Sequence, residues 1–131
     1  MKTNKEILVA MYEAFSIGNI PYILDTVSEN FIWTDSSDPS LVPHGGTYHG
    51  KNEFGQFFQN LVNSVDTTLF EVDKYIADGD TVAAYGKHRV IAKKTGKESL
   101  IEWVMVWIFE NGRPVKGKNY YDTRHHTTIF A

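Results

Sequence analysis

The second half of the chain contains four segments with the composition of strands, separated by three tight-turn sequences. The segments are residues 67–77, 81–93, 98–109 and 113–123. They are rich in Val, Ile, Tyr, Thr and Trp, which favour pleated, half-buried structure. The turns contain Gly79, Gly96 and Asn111-Gly112, which tolerate the positive φ angles of tight hairpins. The sequence therefore predicts an antiparallel meander.

Two short helices are predicted at the N-terminus. Thr3 and Glu6 have the spacing of a capping box, and apolar residues then recur every three or four positions over residues 4–17. Gly18 provides a left-handed stop, and Pro21 fits the first turn of a second helix. The two helices are therefore joined by a tight connection.

A third helix is predicted over residues 51–63, after a short strand at residues 31–34 and a long loop at residues 35–50. One face of this helix is apolar at spacings of three and four residues. Its members are Phe54, Phe57, Phe58, Leu61 and Val62. Three helices followed by a meander predict a single α+β domain of 131 residues, in which the helices cover one face of the sheet.

The composition excludes several kinds of site and partner. The chain has no cysteine, so a disulfide, a thiolate metal site and a cysteine nucleophile are all excluded. Its net charge is −3 and charges of both signs are interspersed, so neither nucleic acid nor a membrane surface is an expected partner. The N-terminus is amphipathic and no apolar run reaches the length of a membrane span, which predicts a cytoplasmic protein.

No metal ion or other cofactor is expected from the sequence. The histidines are His44, His49, His88, His125 and His126. No two of them have the helical spacing, with a nearby carboxylate, that is typical of metal motifs. His49 is either a hydrogen-bond donor at the mouth of a pocket or an exposed loop residue, and no role is assigned to His125 and His126. Phosphate-binding glycine loops, dinucleotide fingerprints and serine-hydrolase elbows do not occur.

One face of the third long strand is strongly aromatic. Trp103, Met105 and Trp107 alternate along it, so their side chains share one side of the sheet. This face either packs in the core or forms a wall for a flat apolar ligand. The other candidate wall residues are Tyr12, Trp33, Phe54, Phe57 and Phe58. The opposite face carries Val104 and Val106, which predicts a homodimer formed through the sheet.

Several short strings, in this order and spacing, resemble a known family over nearly the whole chain. They are Met11-Tyr12-Glu13-Ala14-Phe15 with Gly18-Asn19, Phe31-Ile32-Trp33 before Asp35, Tyr48-His49-Gly50-Lys51, Ala77-Asp78-Gly79-Asp80-Thr81-Val82, Val106-Trp107-Ile108-Phe109-Glu110-Asn111-Gly112, and Tyr120-Tyr121-Asp122. The chain resembles the SnoaL-like, ketosteroid-isomerase-related proteins of the superfamily named after nuclear transport factor two. The resemblance implies a cystatin-like, cone-shaped curved antiparallel sheet with about three N-terminal helices on its concave face. Because this fold hosts several unrelated activities, it does not by itself imply one function.

The resemblance also implies three candidate catalytic residues. Tyr12 falls where steroid isomerases of the superfamily carry a pocket tyrosine, and Asp35 falls where they carry the carboxylate that moves a proton. Asp122 resembles the acid on the last strand of polyketide cyclases. The second aspartate of the isomerases falls at Met105, which cannot donate a hydrogen bond to an oxyanion. Steroid isomerisation is therefore disfavoured.

Each carboxylate also has an alternative interpretation. Asp35 follows the apolar residues 31–33, which could raise its pKa, but it could equally cap a turn in a solvated loop. Asp122 shares a strand face with Lys118 and Tyr120, so that all three could point into one cavity. An ion pair between Lys118 and Asp122 would also explain this spacing.

Two functional hypotheses remain open at this stage. In the first, a small apolar or cyclic organic molecule binds in the aromatic pocket of a cofactor-independent isomerase or a polyketide-cyclase-like lyase. Asp35 or Asp122 then moves a proton, and Tyr12 or Tyr120 polarises an oxygen of the substrate. In the second, the chain is a non-catalytic ligand-binding or dimerising accessory domain. The first requires a carboxylate with a raised pKa in the cavity, whereas the second does not.

Overall fold

The four predicted C-terminal strands form a continuous antiparallel meander in the computed structural model, which describes residues 1–131. The helices are α1 (Asn4–Ser16), α2 (Ile20–Thr26), α3 (Gly50–Ser64) and α4 (Thr123–Thr127), followed by a 3₁₀ turn (Thr128–Phe130). The strands are β1 (Ile32–Asp35), β2 (Gly46–His49), β3 (Val65–Asp78), β4 (Thr81–Ala92), β5 (Glu98–Glu110) and β6 (Arg113–Tyr120). None of the helices is both long and apolar enough to cross a membrane.

All six strands belong to one sheet in the order β2-β1-β6-β5-β4-β3. β1 runs parallel to β6, and every other neighbouring pair is antiparallel. The long helices α1 and α3 pack against one face of the sheet, where they bury a continuous apolar core. The predicted α+β class, with a curved sheet and helices, is therefore confirmed.

The sheet bends at irregularities in its ladders. In β3 the register shifts between Thr67 and Leu69 and again between Val72 and Lys74. At the second shift the backbone of Glu71 approaches Gly86 so closely that no Cβ atom would fit. A bulge adds one unpaired residue and increases the local twist, so these shifts curve the long strands around the helices.

The N-terminal helices form largely as predicted. Thr3 and Glu6 make the reciprocal hydrogen bonds of a capping box, and Pro21 lies in the first turn of α2. In α3 the predicted apolar face is buried except at Val62, which is 56% exposed. Each fully buried phenylalanine of this face stabilises the fold by about 1.5–3 kcal/mol.

The prediction missed two elements. The predicted loop at residues 35–50 contains β2, whose four residues pair with β1. The last strand ends at Tyr120 instead of continuing to residue 123, because the Asp122 side chain accepts a hydrogen bond from the His125 amide and starts α4. His125 and His126 lie in α4.

Gly117 in β6 lies beneath two tryptophan rings. A Cβ atom at this position would be 2.9 Å from the Trp33 ring and 3.0 Å from the Trp107 ring. The two rings are 5.2 Å apart between centroids and also pack against Phe31 and Phe54. Because both rings are enclosed, a side chain at Gly117 would displace them.

We expect Gly117→Ala to destabilise the protein by about 1–3 kcal/mol, the usual effect of overpacking a core. Gly55→Ala is the matched control, because Gly55 is in α3 and a Cβ there would meet only the Leu24 Cδ1 atom at 3.5 Å. That substitution should stabilise the helix by roughly 0.5–1 kcal/mol. Urea denaturation measures both, and equal stabilities of Gly117→Ala and the wild type would contradict the proposed crowding.

Candidate functional site

A cavity of about 70 Å³ lies between the helices and the concave face of the sheet. Fifteen of the twenty residues that line it are hydrophobic. Eight predicted site residues are among them: Tyr12, Trp33, Asp35, Phe54, Phe57, Phe58, Met105 and Trp107. Trp103 is buried behind this wall, where it stacks on Tyr12 at 5.6 Å. The structure thus brings most of the predicted aromatic wall together.

Asp35 is the only carboxylate in the cavity lining, and its side chain is held from one side. The residue is 4% exposed. Its Oδ1 atom accepts hydrogen bonds from the Tyr121 hydroxyl and, at 3.0 Å, from the Ser37 amide. The Ser37 hydroxyl in turn bonds to the Tyr121 hydroxyl. Both hydrogen bonds therefore engage Oδ1, and no protein donor binds Oδ2.

Burial controls the protonation of this group. Desolvation raises the pKa of Asp35 from 3.8 to about 6, against the opposing effect of the hydrogen bonds from Tyr121 and Ser37. Burial and the nearby Asp35 also raise the pKa of Tyr121, so this hydroxyl remains a donor at neutral pH. Neither Asp35 nor any other cavity-lining residue takes part in an ion pair.

An asparagine lies beside Asp35 on the floor of the cavity. Asn119 in β6 is in register with Asp35 in β1 and with Met105 in β5, so the three side chains form a row across the sheet. Asn119 is buried, and its Oδ1 atom has no hydrogen-bond partner. The row therefore places a neutral amide between the carboxylate and the thioether.

The Tyr12 hydroxyl contacts Met105, the last member of this row. The Trp107 Nε1 atom donates to the Tyr12 hydroxyl at 3.1 Å, and this hydroxyl donates to the Met105 Sδ atom at 2.9 Å. Burial raises the pKa of Tyr12, so its hydroxyl keeps its proton. A thioether is a weak acceptor, so a ligand oxygen would compete well for this donor.

Two buried histidines form a second polar cluster, and their hydrogen bonds define their tautomers. Ser64 Oγ donates to the Asn60 carbonyl at 2.7 Å, so it accepts from His44 Nδ1 at 3.3 Å. His44 Nε2 is then an acceptor, and the donor at 3.2 Å is His126 Nε2. A neutral His126 therefore keeps an unprotonated Nδ1 atom, which is buried and has no partner.

Desolvation keeps this cluster neutral. It lowers the pKa of His44 to about 3 and that of His126 to about 4. His88, which bonds to the Thr67 hydroxyl at 2.9 Å, has its pKa lowered to about 4 by burial as well. No group of three or more metal-binding side chains converges here or elsewhere.

The SnoaL-like domain family matches the sequence over residues 8–116. The chain belongs to the SnoaL-like family. None of the curated proteins matches the sequence. Among solved structures, an NTF2-like protein of unknown function from Burkholderia pseudomallei is 29% identical, with a TM-score of 0.90 over 100% of this chain and 99% of that one.

Two further structures are more distant. TerC, crystallised with polyporic acid, is 21% identical with a TM-score of 0.85, and 97% of each chain is covered. A proposed polyketide cyclase from Pseudomonas putida is 20% identical with a TM-score of 0.78 over 100% of each chain. At these identities the likeness concerns the fold alone. The predicted family and superfamily are confirmed.

Besides Trp103, four predicted site residues of this SnoaL-like protein do not line the cavity. Asp122 is exposed and caps α4, and His49 is exposed where it precedes α3. Lys118 lies over the Tyr120 ring at 4.7 Å and makes no ion pair with Asp122. The predicted placement of Lys118, Tyr120 and Asp122 in one cavity is therefore wrong.

A bulge between β5 and β6 explains this error. Glu110 pairs with Arg113 and Phe109 pairs with Pro114, but Ile108 pairs with Lys116. One extra residue in β6 moves every following side chain to the other face of the sheet. Asn119 and Tyr121 therefore face the cavity in place of the predicted residues. Pro114 is the signal that could have revealed this, because proline in a strand often accompanies a bulge.

The raised pKa of Asp35 generates a prediction about stability. The protonated form of Asp35 is favoured in the folded protein. Protonated Asp35 therefore contributes to folding stability below pH 3.8, and this contribution is lost as the pH rises through 6. In the SnoaL-like protein, we expect the unfolding free energy of Asp35→Asn, relative to that of the wild type, to increase between pH 4 and 6. The increase should be up to about 3 kcal/mol. Histidine titration is common to both proteins and cancels in the difference.

Urea denaturation from pH 4 to 8 measures this difference. Asp122→Asn is the control, because asparagine also caps helices well and the position is exposed. A stability difference between Asp35→Asn and the wild type that does not change with pH would show that Asp35 ionises normally.

Proposed function

We propose that the protein is a cofactor-independent enzyme that moves a proton on a small cyclic or polyketide-like carbonyl compound, with Asp35 as the general base. One observation carries the proposal. Asp35 lies in an apolar aromatic cavity, with Oδ1 held by Tyr121 and Ser37 and with Oδ2 free of protein donors. An oriented carboxylate with a pKa near 6 is ionised at neutral pH and is a stronger base than an exposed aspartate.

The reaction begins at a C–H bond next to the substrate carbonyl. The Asp35 Oδ2 atom takes the proton, the C–H bond breaks, and its electron pair moves onto the carbonyl oxygen. Tyr12 stabilises this oxygen by transferring its hydrogen bond from Met105 Sδ to the enolate. Return of the proton from Oδ2 to a different carbon of a conjugated enolate gives an isomer. Attack of the enolate carbon on a second carbonyl gives a ring, and the alkoxide formed there takes the proton from Oδ2.

The comparisons support a small organic substrate without identifying it. One protein of the same fold was crystallised with polyporic acid, and another is named as a proposed polyketide cyclase. Met105 takes the place of an acidic oxyanion donor, so we propose cyclisation or isomerisation of a small cyclic carbonyl compound in preference to steroid isomerisation. We expect the enzyme to act in the cytoplasm.

We expect the wild type to catalyse hydrogen–deuterium exchange next to the carbonyl of cyclohexanone in D₂O, measured by proton NMR. Asp35→Asn should lower this rate by at least about 100-fold, because it removes the base. Tyr12→Phe should lower it less, and Asp122→Asn should match the wild type. Exchange by Asp35→Asn at the wild-type rate would remove Asp35 from the mechanism.

The alternative is a non-catalytic ligand-binding protein, which the largely aromatic lining also favours. The same experiment distinguishes the two functions. Tight binding of cyclic ketones by the wild type, without exchange above the rate in buffer, would favour the binding protein.

We also propose a homodimer formed through the outer face of the sheet. Tyr85, Val104 and Tyr120 are adjacent across β4, β5 and β6, and they are 38%, 42% and 47% exposed. Three large apolar side chains in one row form a patch that a second copy of the same sheet would cover.

Light scattering should give a dimer for the wild type and a monomer for Val104→Glu, which places a charge in the middle of this row. The control is Ile17→Glu, because Ile17 is 79% exposed and follows α1, away from the sheet face. A Val104→Glu protein that stays dimeric would exclude this interface.

A further inference from the structure

The cavity is small for the ligands that such pockets usually hold. Its volume of about 70 Å³ accommodates only part of an organic molecule, whereas ligand pockets commonly measure about 300–1,000 Å³. A second, larger space of about 530 Å³ opens on the surface beside it. We call this space the groove, and it runs between the C-terminal ends of α1 and α3 and the first half of β3.

The cavity and the groove share one wall. Phe15, Phe58, Leu61 and Phe70 line both spaces, and we call these four side chains the partition. Phe15 meets Phe70 edge to face at 4.8 Å and lies 6.1 Å from Phe58. Only a single layer of side chains therefore separates the two volumes.

Two of the four partition side chains are only partly buried. Phe15 is half-buried in the last turn of α1, and Phe70 is half-buried in β3, whereas Phe58 and Leu61 are buried. Half-buried aromatic side chains change rotamer more readily than enclosed ones, since fewer neighbours must move with them. Rotation of Phe15 towards solvent would join the cavity to the groove.

The groove suits an apolar chain with a free end near water. Val62 projects into it and is exposed, and the polar side chains of Thr67 and Thr68 lie along one wall. An exposed ion pair between Lys93 and Asp66, at 3.7 Å, also lines the groove. The groove thus combines the apolar side chains of the partition with polar and charged side chains that contact water.

We propose that Phe15 and Phe70 form a gate, and that the natural ligand is an amphiphile whose carbonyl-bearing ring lies beside Asp35 while its apolar chain passes the gate into the groove. The position of the ring rests on the proposed function. The position of the chain rests on the shared partition and the two volumes. The substrate class is accordingly a cyclic ketone with a linear apolar substituent.

Calorimetric titration with 4-alkylcyclohexanones, from methyl to octyl, tests the gate. In the wild type, Kd should fall about fourfold for each added methylene group, because each is buried in the groove. Val62→Trp fills the groove from the exposed face of α3 and should abolish this gain for chains longer than butyl, while the methyl compound binds as in the wild type. Asn63→Trp is the matched control, since Asn63 is exposed on the same helix and does not line the groove.

Phe15→Ala gives an independent kinetic test. Removing the gate side chain should raise the association rate of the octyl compound at least about threefold, with thermal unfolding as a check that the protein is folded. A Kd that does not depend on chain length in the wild type, or a gain that persists in Val62→Trp, would overturn the proposal. Failure of every ketone to bind would overturn it as well.

Exchange measurements on the same ketones separate this inference from the proposed function. If affinity increases with chain length but no ketone undergoes exchange, the gate stands and the catalytic role of Asp35 fails. If cyclohexanone undergoes exchange but chain length has no effect, the catalytic role stands and the gate fails.

Discussion

The register of β6 determines which side chains meet in the cavity. β6 lies between β1 and β5, and its pairing places Asn119 between Asp35 and Met105. The bulge near the β5–β6 turn sets this register. If the hairpin continued without its extra residue, Lys118 would pair with Met105 and share its face. One inserted residue therefore gives the cavity an amide and a phenol in place of an ammonium group.

This exclusion of Lys118 has an electrostatic consequence for Asp35. An ammonium group within a few ångströms would favour the carboxylate and lower its pKa, whereas burial among aromatic rings raises it to about 6. The hydroxyl of Tyr121 and the amide of Ser37 orient the carboxylate without adding a positive charge. The basicity of Asp35 thus depends on the register of β6 as well as on the apolar residues that precede Asp35 in the sequence.

The sequence signals that are local in the chain gave correct predictions. Capping at Thr3, the helical spacing of α3 and the glycine turns each depend on a few neighbouring residues, so the class and the order of the main elements followed from them. Asp35, Tyr12 and most of the aromatic wall were also predicted. Asn119 and Tyr121 were missed because the face of the sheet on which their side chains lie depends on the bulge in β6. His44 and His126 were missed because a loop and a short terminal helix bring them together across 82 positions.

Several cavity side chains are left with unmet hydrogen-bonding capacity. Trp33 Nε1, Asn119 Oδ1 and His126 Nδ1 are buried without partners, and all three residues line the cavity. Each of these atoms has hydrogen-bonding capacity that no protein group uses. Trp33 Nε1 is a donor and Asn119 Oδ1 is an acceptor. His126 Nδ1 is also an acceptor, because the hydrogen bond to His44 places the His126 proton on Nε2. A ligand with a hydroxyl group as well as a carbonyl would match both kinds, because the carbonyl accepts from Trp33 and the hydroxyl donates to Asn119 or His126.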